Sequence, residues 1–445
     1  ENRPDLVIET LPCPPTGLTV VRGLDPTSRF LSKHLEKMCG RYRSLDYSVI
    51  EQQKKQKLNL IDMNEGIVGA FDKGAFLKSR YKAMMFLPFQ INHRTREKFS
   101  IKTDRSEHRF YGFDSMEPYS EILQLKKTTP GFVRRDDAIY FPSQNDPPID
   151  SESGLCDGGG NVIMESCLFR GQDSSEKVTE LKCFVGVTER RRLEGNYIYG
   201  GFLDPHYGHF LTETMGRLWI LLNEPQAGSF LLFHGDLSTL KLDFVKTILD
   251  FLPIENDKII VLDHVVELEK VTIPLPSMVN RGAIHTIHKK LPVEVAQKFI
   301  GSQNFRRTEQ PLYLSRRKLS KNIRHIQNEH VFEKYLESKN VKIVYPEELP
   351  FAEQVLLFNR HKVVIGPFGS AHHTSMFSLK PLTAVYLCHP GTLSNYLMTD
   401  YISHSSSHYI LCCQVDLQYK RPLYLSSQIL DVDYALSCLK RIGIV

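Results

Sequence analysis

Residues 362–373 read KVVIGPFGSAHH, a short apolar strand pattern followed by a glycine-punctuated turn that opens a helix. Gly366 and Gly369 allow backbone amides to approach a ligand closely, and the N-terminus of the following helix favours an anion. Any α/β protein also contains glycines in tight strand-to-helix turns, and neither a G-x-G-x-x-G nor a Walker pattern is present. The turn, together with its rim of the sheet, predicts an anion site whose contacts come from Gly369, Ser370, Ala371 and His372.

Strand and helix patterns alternate on both sides of this turn. Helices are predicted at 328–338, 350–359 and 370–378, and strands at 312–314, 341–345, 362–365 and 383–387. Strict alternation predicts a parallel sheet with right-handed crossovers and helices on both faces. Ligands in such sheets bind beyond the carboxyl ends of the strands.

The segment YLSRR, residues 313–317, leaves its strand at the same rim of the predicted sheet as the glycine turn. The planar guanidinium of Arg316 matches phosphate oxygens in a bidentate way, so we predict that it binds a phosphate. Arg324 and Asn328 follow in R-x-x-x-N-E spacing and are further ligand candidates. Asn328 is equally suited to cap a helix, and Arg324 to be a surface charge near its start.

The middle of the chain shows the same α/β rhythm. Strands are predicted at 132–141, 230–233, 258–262 and 271–274, with an amphipathic helix at 240–252. Residues 1–130 give no clean repeat of this kind, and we assign them to an α+β region of unknown role. The predicted units are therefore 1–130, 131–300 and 301–445, with the last segment returning to the first α/β unit as an open alternative.

Residues 204–219, DPHYGHFLTETMGRLW, predict a helix that starts at Asp204. Leucines and Met215 then fall on one face, and His209, Glu213 and Arg217 fall on the opposite face at intervals of four. Such a stripe places an imidazole beside a carboxylate, as general base catalysis requires. A solvated polar face with pairs of opposite charge fits the same spacing.

A metal site is a third interpretation of this segment. His206, His209 and Glu213 could supply ligands, but the H-E-x-x-H pattern is absent. We therefore predict no metal, and rank a metal-dependent hydrolase below the other functions.

Composition restricts the class of protein. The 445 residues are 41% hydrophobic and 24% charged, which excludes a disordered or fibrous chain. A formal charge of +5 is a weak basic excess, so nucleic acid is not an expected partner. Nine cysteines without C-x-x-C spacing favour reduced thiols and a cytoplasmic setting. The chain does not begin with Met, so a removed signal or anchor would be invisible.

The order of the motifs resembles glycosyltransferase family 61, which includes plant pentosyltransferases, animal O-GlcNAc and O-mannose-directed enzymes and many bacterial members. A histidine-containing helix ending in RLW is followed by YLSR, R-x-x-x-N-E, PEELPFAEQ and the glycine turn. The resemblance runs from about residue 132 to about residue 387. It implies a GT-B arrangement of two Rossmann-like units facing a cleft, inversion at the anomeric carbon and no strict need for a metal.

Carried over residue by residue, the resemblance implies two groups of functional positions. His209 and Glu213 match the family's histidine and acidic positions on the acceptor-side helix, and Arg217 matches its arginine. Asp204 and His206 are acceptor-side candidates beside them. The implied donor-side positions are Arg316, Glu353, Gly369 and Ser370. Two positions depart from the family pattern, because Phe368-Gly369-Ser370 replaces His-Gly-Ala and Glu213 replaces the more usual Asp.

The sequence thus predicts an inverting hexosyl- or pentosyltransferase of polysaccharide biosynthesis. It would move a sugar from a nucleotide diphosphate donor, with UDP as the favoured nucleotide, to a hydroxyl of a glycan acceptor. Arg316 and the amides after Gly369 would hold the diphosphate, and Glu213 or His209 would be the base. No cofactor is expected, and peripheral association with the inner membrane surface and the oligomeric state stay open. The altered glycine turn leaves an inactive nucleotide-sugar- or polysaccharide-binding protein as the alternative.

Overall fold

A computed structural model gives the fold. It describes residues 7–11, 18–22, 59–60, 70–71, 98–102, 105–113, 124–142, 154–171, 176–177, 191–223, 228–301, 306–319, 324–389, 394–415 and 426–445.

The chain divides into two compact units, residues 1–90 and residues 91–445. In the first unit, Val7–Leu11 pairs antiparallel with Leu18–Arg22, and Asn59–Leu60 pairs antiparallel with Ala70–Phe71. The predicted α+β character of residues 1–130 falls largely on residues outside those described.

A six-stranded sheet lies in the middle of the sequence. Its strands run, from one edge to the other, Ile259–Leu262, Phe230–His234, Arg191–Phe202, Val266–Pro274, Phe132–Phe141 and Gly154–Cys156. The first four strands are mutually parallel, and the last two join antiparallel. Its central strand, Arg191–Phe202, leads directly into the predicted acceptor-side segment.

A seven-stranded sheet contains the glycine turn. Its strands run, in order, Lys342–Val344, Leu312–Leu314, Val363–Pro367, Thr383–Cys388, Ser406–Leu411, Glu107–Tyr111 and Lys98–Lys102. The first six strands are parallel, which confirms the prediction of a parallel sheet, and Lys98–Lys102 is antiparallel. The carboxyl ends of Leu312–Leu314 and Val363–Pro367 therefore meet at one rim, where Arg316 and the glycine turn follow them.

The described α-helices surround these sheets. They are Tyr207–His209, Trp219–Asn223, Asp243–Leu249, Lys290–Ile300, Glu329–Ser338, Phe351–Arg360, Ser394–Ile402 and Val432–Arg441. The predicted helix at 370–378 is a 3₁₀ helix, Ser370–Phe377, and the predicted helices at 240–252, 328–338 and 350–359 agree with the structure to within three residues at each end. Short strands complete the described elements: Gln124–Lys126, Phe169–Arg170, Glu176–Lys177, Met278–Val279, Ala283–His285, Cys413–Val415 and Gln428–Leu430. Within this described part, no helix has the length and apolarity needed to cross a bilayer.

One hydrophobic core joins helices from both α/β halves of the second unit. It contains Phe210 from the acceptor-side segment, Phe351 and Phe377 from the glycine-turn half, and Met398 from helix Ser394–Ile402. Burying four such side chains contributes on the order of 6–12 kcal/mol before conformational entropy is subtracted. The two halves are therefore packed against each other beside the predicted site.

The glycine turn rests on a stack of aromatic rings. Phe368 lies parallel to Tyr396 with ring centroids 4.6 Å apart, and Tyr386 stacks on Tyr409 at 4.7 Å. The hydroxyls of Tyr386 and Tyr409 both donate to the buried carboxyl of Asp400, at 2.7 and 2.8 Å. Burial raises the pKa of Asp400 to about 7, against the opposing effect of these hydrogen bonds.

We expect Asp400→Asn to change how stability depends on pH. A raised folded-state pKa favours the protonated carboxyl, so its contribution is complete below about pH 4 and is lost as pH rises through about 7. The free energy of unfolding of the native chain should therefore fall relative to Asp400→Asn by a few kcal/mol across this range. Urea denaturation of both proteins at several pH values measures the difference in their free energies of unfolding. A difference that does not change with pH would show that the pKa of Asp400 is not raised in the folded protein.

Candidate functional site

The segment after Asp204 is not the single amphipathic helix that the sequence predicts. An α-helical turn at Tyr207–His209 passes into a π-helical turn at Phe210–Thr214 and then into a 3₁₀ turn at Met215–Arg217. The helix begins after His206, whose ring nitrogen accepts from the amide of His209, while the Asp204 carboxylate accepts from the amide of His206. The wider π turn changes the angular spacing of the side chains along the segment. Most of the segment is buried, so the alternative of a solvated polar face is wrong.

Glu213 is a buried carboxylate with four hydrogen-bond donors. Arg170 binds it in a bidentate way, with Nε 2.6 Å from Oε1 and Nη2 2.8 Å from Oε2. His209 Nδ1 lies 2.9 Å from Oε2, and the Asn280 amide donates to Oε1. The Glu213 side chain is 6% exposed, whereas that of His209 is 40% exposed. The predicted pair at positions 209 and 213 is thus formed, and Arg170 joins it.

The charges of this cluster set its protonation. Burial alone would raise the pKa of Glu213, but hydrogen bonds from Arg170 and His209 outweigh it and lower the pKa to about 2. Burial likewise opposes the charged form of His209, yet the bond and charge of Glu213 raise its pKa overall. Glu213 is therefore ionised near neutral pH, and its hydrogen bond assigns the proton on the His209 ring to Nδ1.

Arg217 donates its hydrogen bonds to backbone carbonyls. Its guanidinium is buried and donates to the carbonyls of Glu165 and Cys167, each at 2.9 Å, and to that of Pro274. These bonds join the end of strand Val266–Pro274 to the segment that carries Arg170. Arg217, predicted as an acceptor-side residue, is placed so that it supports Arg170.

Arg316 lies against the glycine turn, where the sequence predicts the donor site. Its Nη1 donates to the carbonyl of Phe368 at 3.2 Å, and a Cβ added to Gly369 would lie 2.2 Å from the same nitrogen. Its Nε is buried without a hydrogen-bond partner in the described structure. A side chain at position 369 would force the Arg316 guanidinium to move, and a buried guanidinium with an unsatisfied nitrogen is suited to an anionic ligand.

The residues of the R-x-x-x-N-E motif take different roles. Asn328 makes no cap; its side chain bonds both backbone groups of Leu430, at 2.7 and 2.9 Å. The carboxyl of Glu329, to which Tyr313 also donates, accepts from the amide of Arg316 at 3.0 Å. Arg324 has a left-handed backbone, φ 40°, which costs about 1 kcal/mol or more for a non-glycine residue. Burial lowers the pKa of Arg316, and the nearby charge of Arg324 lowers it further.

The two motif groups meet at Gly208 and Ser370. A Cβ added to Gly208 would lie 2.6 Å from Ser370 Oγ, and the hydroxyls of Tyr207 and Thr374 share a hydrogen bond of 2.7 Å. Burial, His209 and the charges of Arg324 and Arg316 lower the pKa of His206 to about 4. The histidine side and the arginine side are therefore in contact and act on each other electrostatically.

The remaining predicted residues lie around this junction or at its edge. His372 is buried beneath the turn against Tyr386, with ring centroids 4.5 Å apart, and Ala371 is half-buried in the first turn of the 3₁₀ helix. Glu353 is exposed at the start of helix Phe351–Arg360, and it makes no hydrogen bond with the glycine turn among the described residues. No side chain caps the 3₁₀ helix, which leaves its first amides available to an anion.

A metal could use Asp204, His209 and Glu213, whose ligand atoms lie within 4.8 Å of one another. However, both oxygens of Glu213 already accept hydrogen bonds, two of them from Arg170. A cation would have to displace a guanidinium from the same carboxylate.

Three residues of the site escaped the sequence analysis. Arg170 and Asn280 reach Glu213 from 43 and 67 positions away, and no local motif marks either of them. Glu329 stands in the quoted motif but was not assigned a ligand or a partner. The signal for Arg170 was indirect, because a buried acid in a predicted helix requires a cation from elsewhere in the chain.

Comparisons with known proteins agree with the motif order. Residues 207–393 match the sequence model of the family described as Glycosyltransferase 61. No curated protein matches the chain. Among solved structures, the bacterial iron-containing dodecameric glycosyltransferase TibC from enterotoxigenic E. coli H10407 matches with 10% identity and a TM-score of 0.24, over 59% of this chain and 76% of that one. This likeness is too weak to carry an argument.

We expect Arg170→Met to destabilise the fold by about 3 kcal/mol, because it leaves the buried Glu213 charge without its main partner. The loss should shrink at acid pH, where Glu213 can take up a proton. Arg192→Met is the matched control, since Arg192 also makes two bonds to carboxylate oxygens, those of Asp137 and Glu267, but at an exposed position. Its effect should be much smaller. Denaturant unfolding measures both, and equal losses would contradict a special role of the Glu213 pair.

Proposed function

We propose that this chain is a glycosyltransferase that moves a sugar from a nucleotide diphosphate donor to an acceptor hydroxyl, with His209 as the base. The match of residues 207–393 to the Glycosyltransferase 61 model supports sugar transfer. The observation that carries the proposal is the junction at Gly208 and Ser370. The hydrogen-bonded pair of His209 and Glu213 lies on one side of this junction. Arg316 and the first amides of the 3₁₀ helix, which suit a diphosphate, lie on the other side.

Hydrogen bonding and exposure support His209, and not Glu213, as the base in this proposal. A carboxylate with a pKa of about 2 and four hydrogen-bond donors holds little affinity for another proton. His209 uses Nδ1 to bond Glu213, so its Nε2 is left with a lone pair on a side chain that is 40% exposed. Glu213 then orients the imidazole and stabilises the imidazolium that forms, as the third member of a catalytic triad does.

The leaving group is held on the other side of the junction. Arg316 and Arg324 supply two positive charges, and the amides of Ser370 and Ala371 begin a helix that no side chain caps. Charge that develops on the departing diphosphate is stabilised by such preorganised donors. Glu329 fixes the backbone of Arg316, so this arginine is held in place before the donor arrives.

One displacement completes the reaction. The acceptor oxygen loses its proton to His209 Nε2 as it bonds the anomeric carbon, and the bond from that carbon to the diphosphate oxygen breaks with its electron pair on the leaving group. Attack from the side opposite the diphosphate inverts the anomeric configuration. In this proposal no metal takes part, because Arg316, Arg324 and the amides supply the positive charge.

The finer assignments follow the family resemblance. We assign the two α/β halves to a GT-B arrangement, the donor to the UDP-sugars and the acceptor to glycans. A donor screen that measures released nucleoside diphosphate tests the reaction and identifies the sugar. Nucleotide binding without release across all donors would instead indicate a binding protein that has lost the chemistry.

His209→Ala should lower kcat by at least about a hundredfold while nucleoside diphosphate affinity stays the same. Because the neutral imidazole is the active form, native activity should rise with pH as His209 loses its proton. Glu213→Gln removes the bond that raises the His209 pKa, so its acidic limb should move to lower pH. His264→Ala is the matched control, as exposed His264 also pairs with a neighbouring carboxylate, Asp263. An unchanged kcat in His209→Ala would remove it as the base.

Arg316→Ala should weaken nucleoside diphosphate binding by about 10- to 100-fold and lower transfer and donor hydrolysis together, since it removes a charged phosphate contact. Arg317→Ala is the matched control, because the adjacent Arg317 points to Glu333 and Tyr345. Isothermal titration measures binding, and circular dichroism checks the fold. Native affinity in Arg316→Ala would show that the diphosphate lies elsewhere.

A further inference from the structure

A basic groove opens at the edge of the seven-stranded sheet opposite the glycine turn. Its cavity has a volume of about 780 Å³ and is lined by Lys362 and Thr383, which stand at the amino ends of adjacent parallel strands. The glycine turn follows the carboxyl end of the same strand, Val363–Pro367. Five residues of extended chain span about 16 Å, so the groove is a separate place from the Arg316 site.

Positive charge dominates the described lining of this groove. Its cations are Arg105, Arg306, Arg307, Lys362 and Lys380, and Glu309 is the single carboxylate among the described lining residues. Glu309 is engaged by Lys362 in an ion pair. His404, which also lines the groove, has its pKa lowered by burial and then by the charges of Arg105 and Lys289. Several like charges in one concavity repel one another, which a bound anion would relieve.

Part of this charge has a structural explanation. Arg307 donates to the carbonyls of Phe358 and His361 at the end of helix Phe351–Arg360, and to those of Lys380 and Pro381. Cations commonly satisfy the free carbonyls at a helix C-terminus in this way. The bonds hold the guanidinium rigidly in the groove, and its Nε is buried with no hydrogen-bond partner in the described structure.

Arg306 and Lys380 have no such explanation. Both are exposed at the groove, and neither makes an ion pair with any residue that the structure describes. The backbone carbonyls of Lys380 and Pro381 both accept from Arg307, so exposed Lys380 is a neighbour of the fixed guanidinium. A fixed arginine with two exposed cations beside it suits a ligand that carries more than one negative charge.

We propose that this groove binds a phosphate-bearing ligand. The proposal is independent of the sugar-transfer site, since none of its residues belongs to the His209 or Arg316 clusters. The same phosphate chemistry is offered by an anionic lipid headgroup and by a soluble phosphate ester, and the experiment separates these two sources.

The test uses the full chain and two probes. Inorganic tripolyphosphate is titrated calorimetrically, and co-sedimentation is measured with phosphatidylcholine vesicles that contain or lack phosphatidylglycerol. The double variant Arg306→Glu/Lys380→Glu should weaken binding of at least one probe by about tenfold or more, because two attractive charges become repulsive. The control Lys246→Glu/Lys334→Glu makes the same change of net charge at exposed positions outside the groove lining and should bind like the native chain.

Each outcome decides the matter. A loss confined to phosphatidylglycerol vesicles identifies a lipid headgroup, and a loss confined to tripolyphosphate identifies a soluble ester. Equal losses in both double variants would show a general charge effect and would overturn the proposal. The proposal would also be overturned if the native chain bound neither probe. Tripolyphosphate binding abolished by Arg316→Ala but unaffected by the groove variant would place the phosphate at the donor site instead. Nucleoside diphosphate binding and transfer should be unchanged in the groove variant, so this result does not depend on the proposed reaction.

Discussion

The buried charge of Glu213 is the constraint on which the site depends. An isolated carboxylate in the interior is very costly, and it is tolerated only when its oxygens are fully hydrogen-bonded. Here the donors come from three separate segments, through Arg170, His209 and Asn280. The same bonds that make the burial possible also bring these segments together, so the geometry of the candidate site and the stability of the fold depend on the same interactions.

The proposed donor side, around the glycine turn and Arg316, is held in place by different interactions. Stacked aromatic rings support Phe368 from below, and Glu329 holds the backbone of Arg316. Burial raises the pKa of Asp400 to about 7, so this carboxyl beneath the turn takes up a proton far more readily than Glu213 does. One half of the site is therefore fixed by ion pairing and the other by packing and neutral hydrogen bonds, which respond differently to salt and to temperature.

The sequence predicted what short-range patterns encode. The strands around Leu312–Leu314 and Val363–Pro367 and the glycine turn between strand and helix lie close to where periodicity placed them, and the suspected family is confirmed over residues 207–393. Pairing between distant strands could not be predicted. Glu107–Tyr111 pairs with Ser406–Leu411, some 300 positions later, and no local sequence pattern indicates this pairing. The π turn was missed because one wider turn alters the phase that a 3.6-residue period assumes.

The close approach of Gly208 and Ser370 restricts how this scaffold can be altered by recombination. The two motifs fit each other at this contact. The histidine segment contributes Gly208, which has no side chain, and the glycine turn contributes the small hydroxyl of Ser370. A chimaera that takes its histidine segment from one homologue and its glycine turn from another would combine two surfaces that do not fit each other at this contact. Exchangeable blocks in this protein should therefore contain both motifs, although 162 positions separate them in the chain.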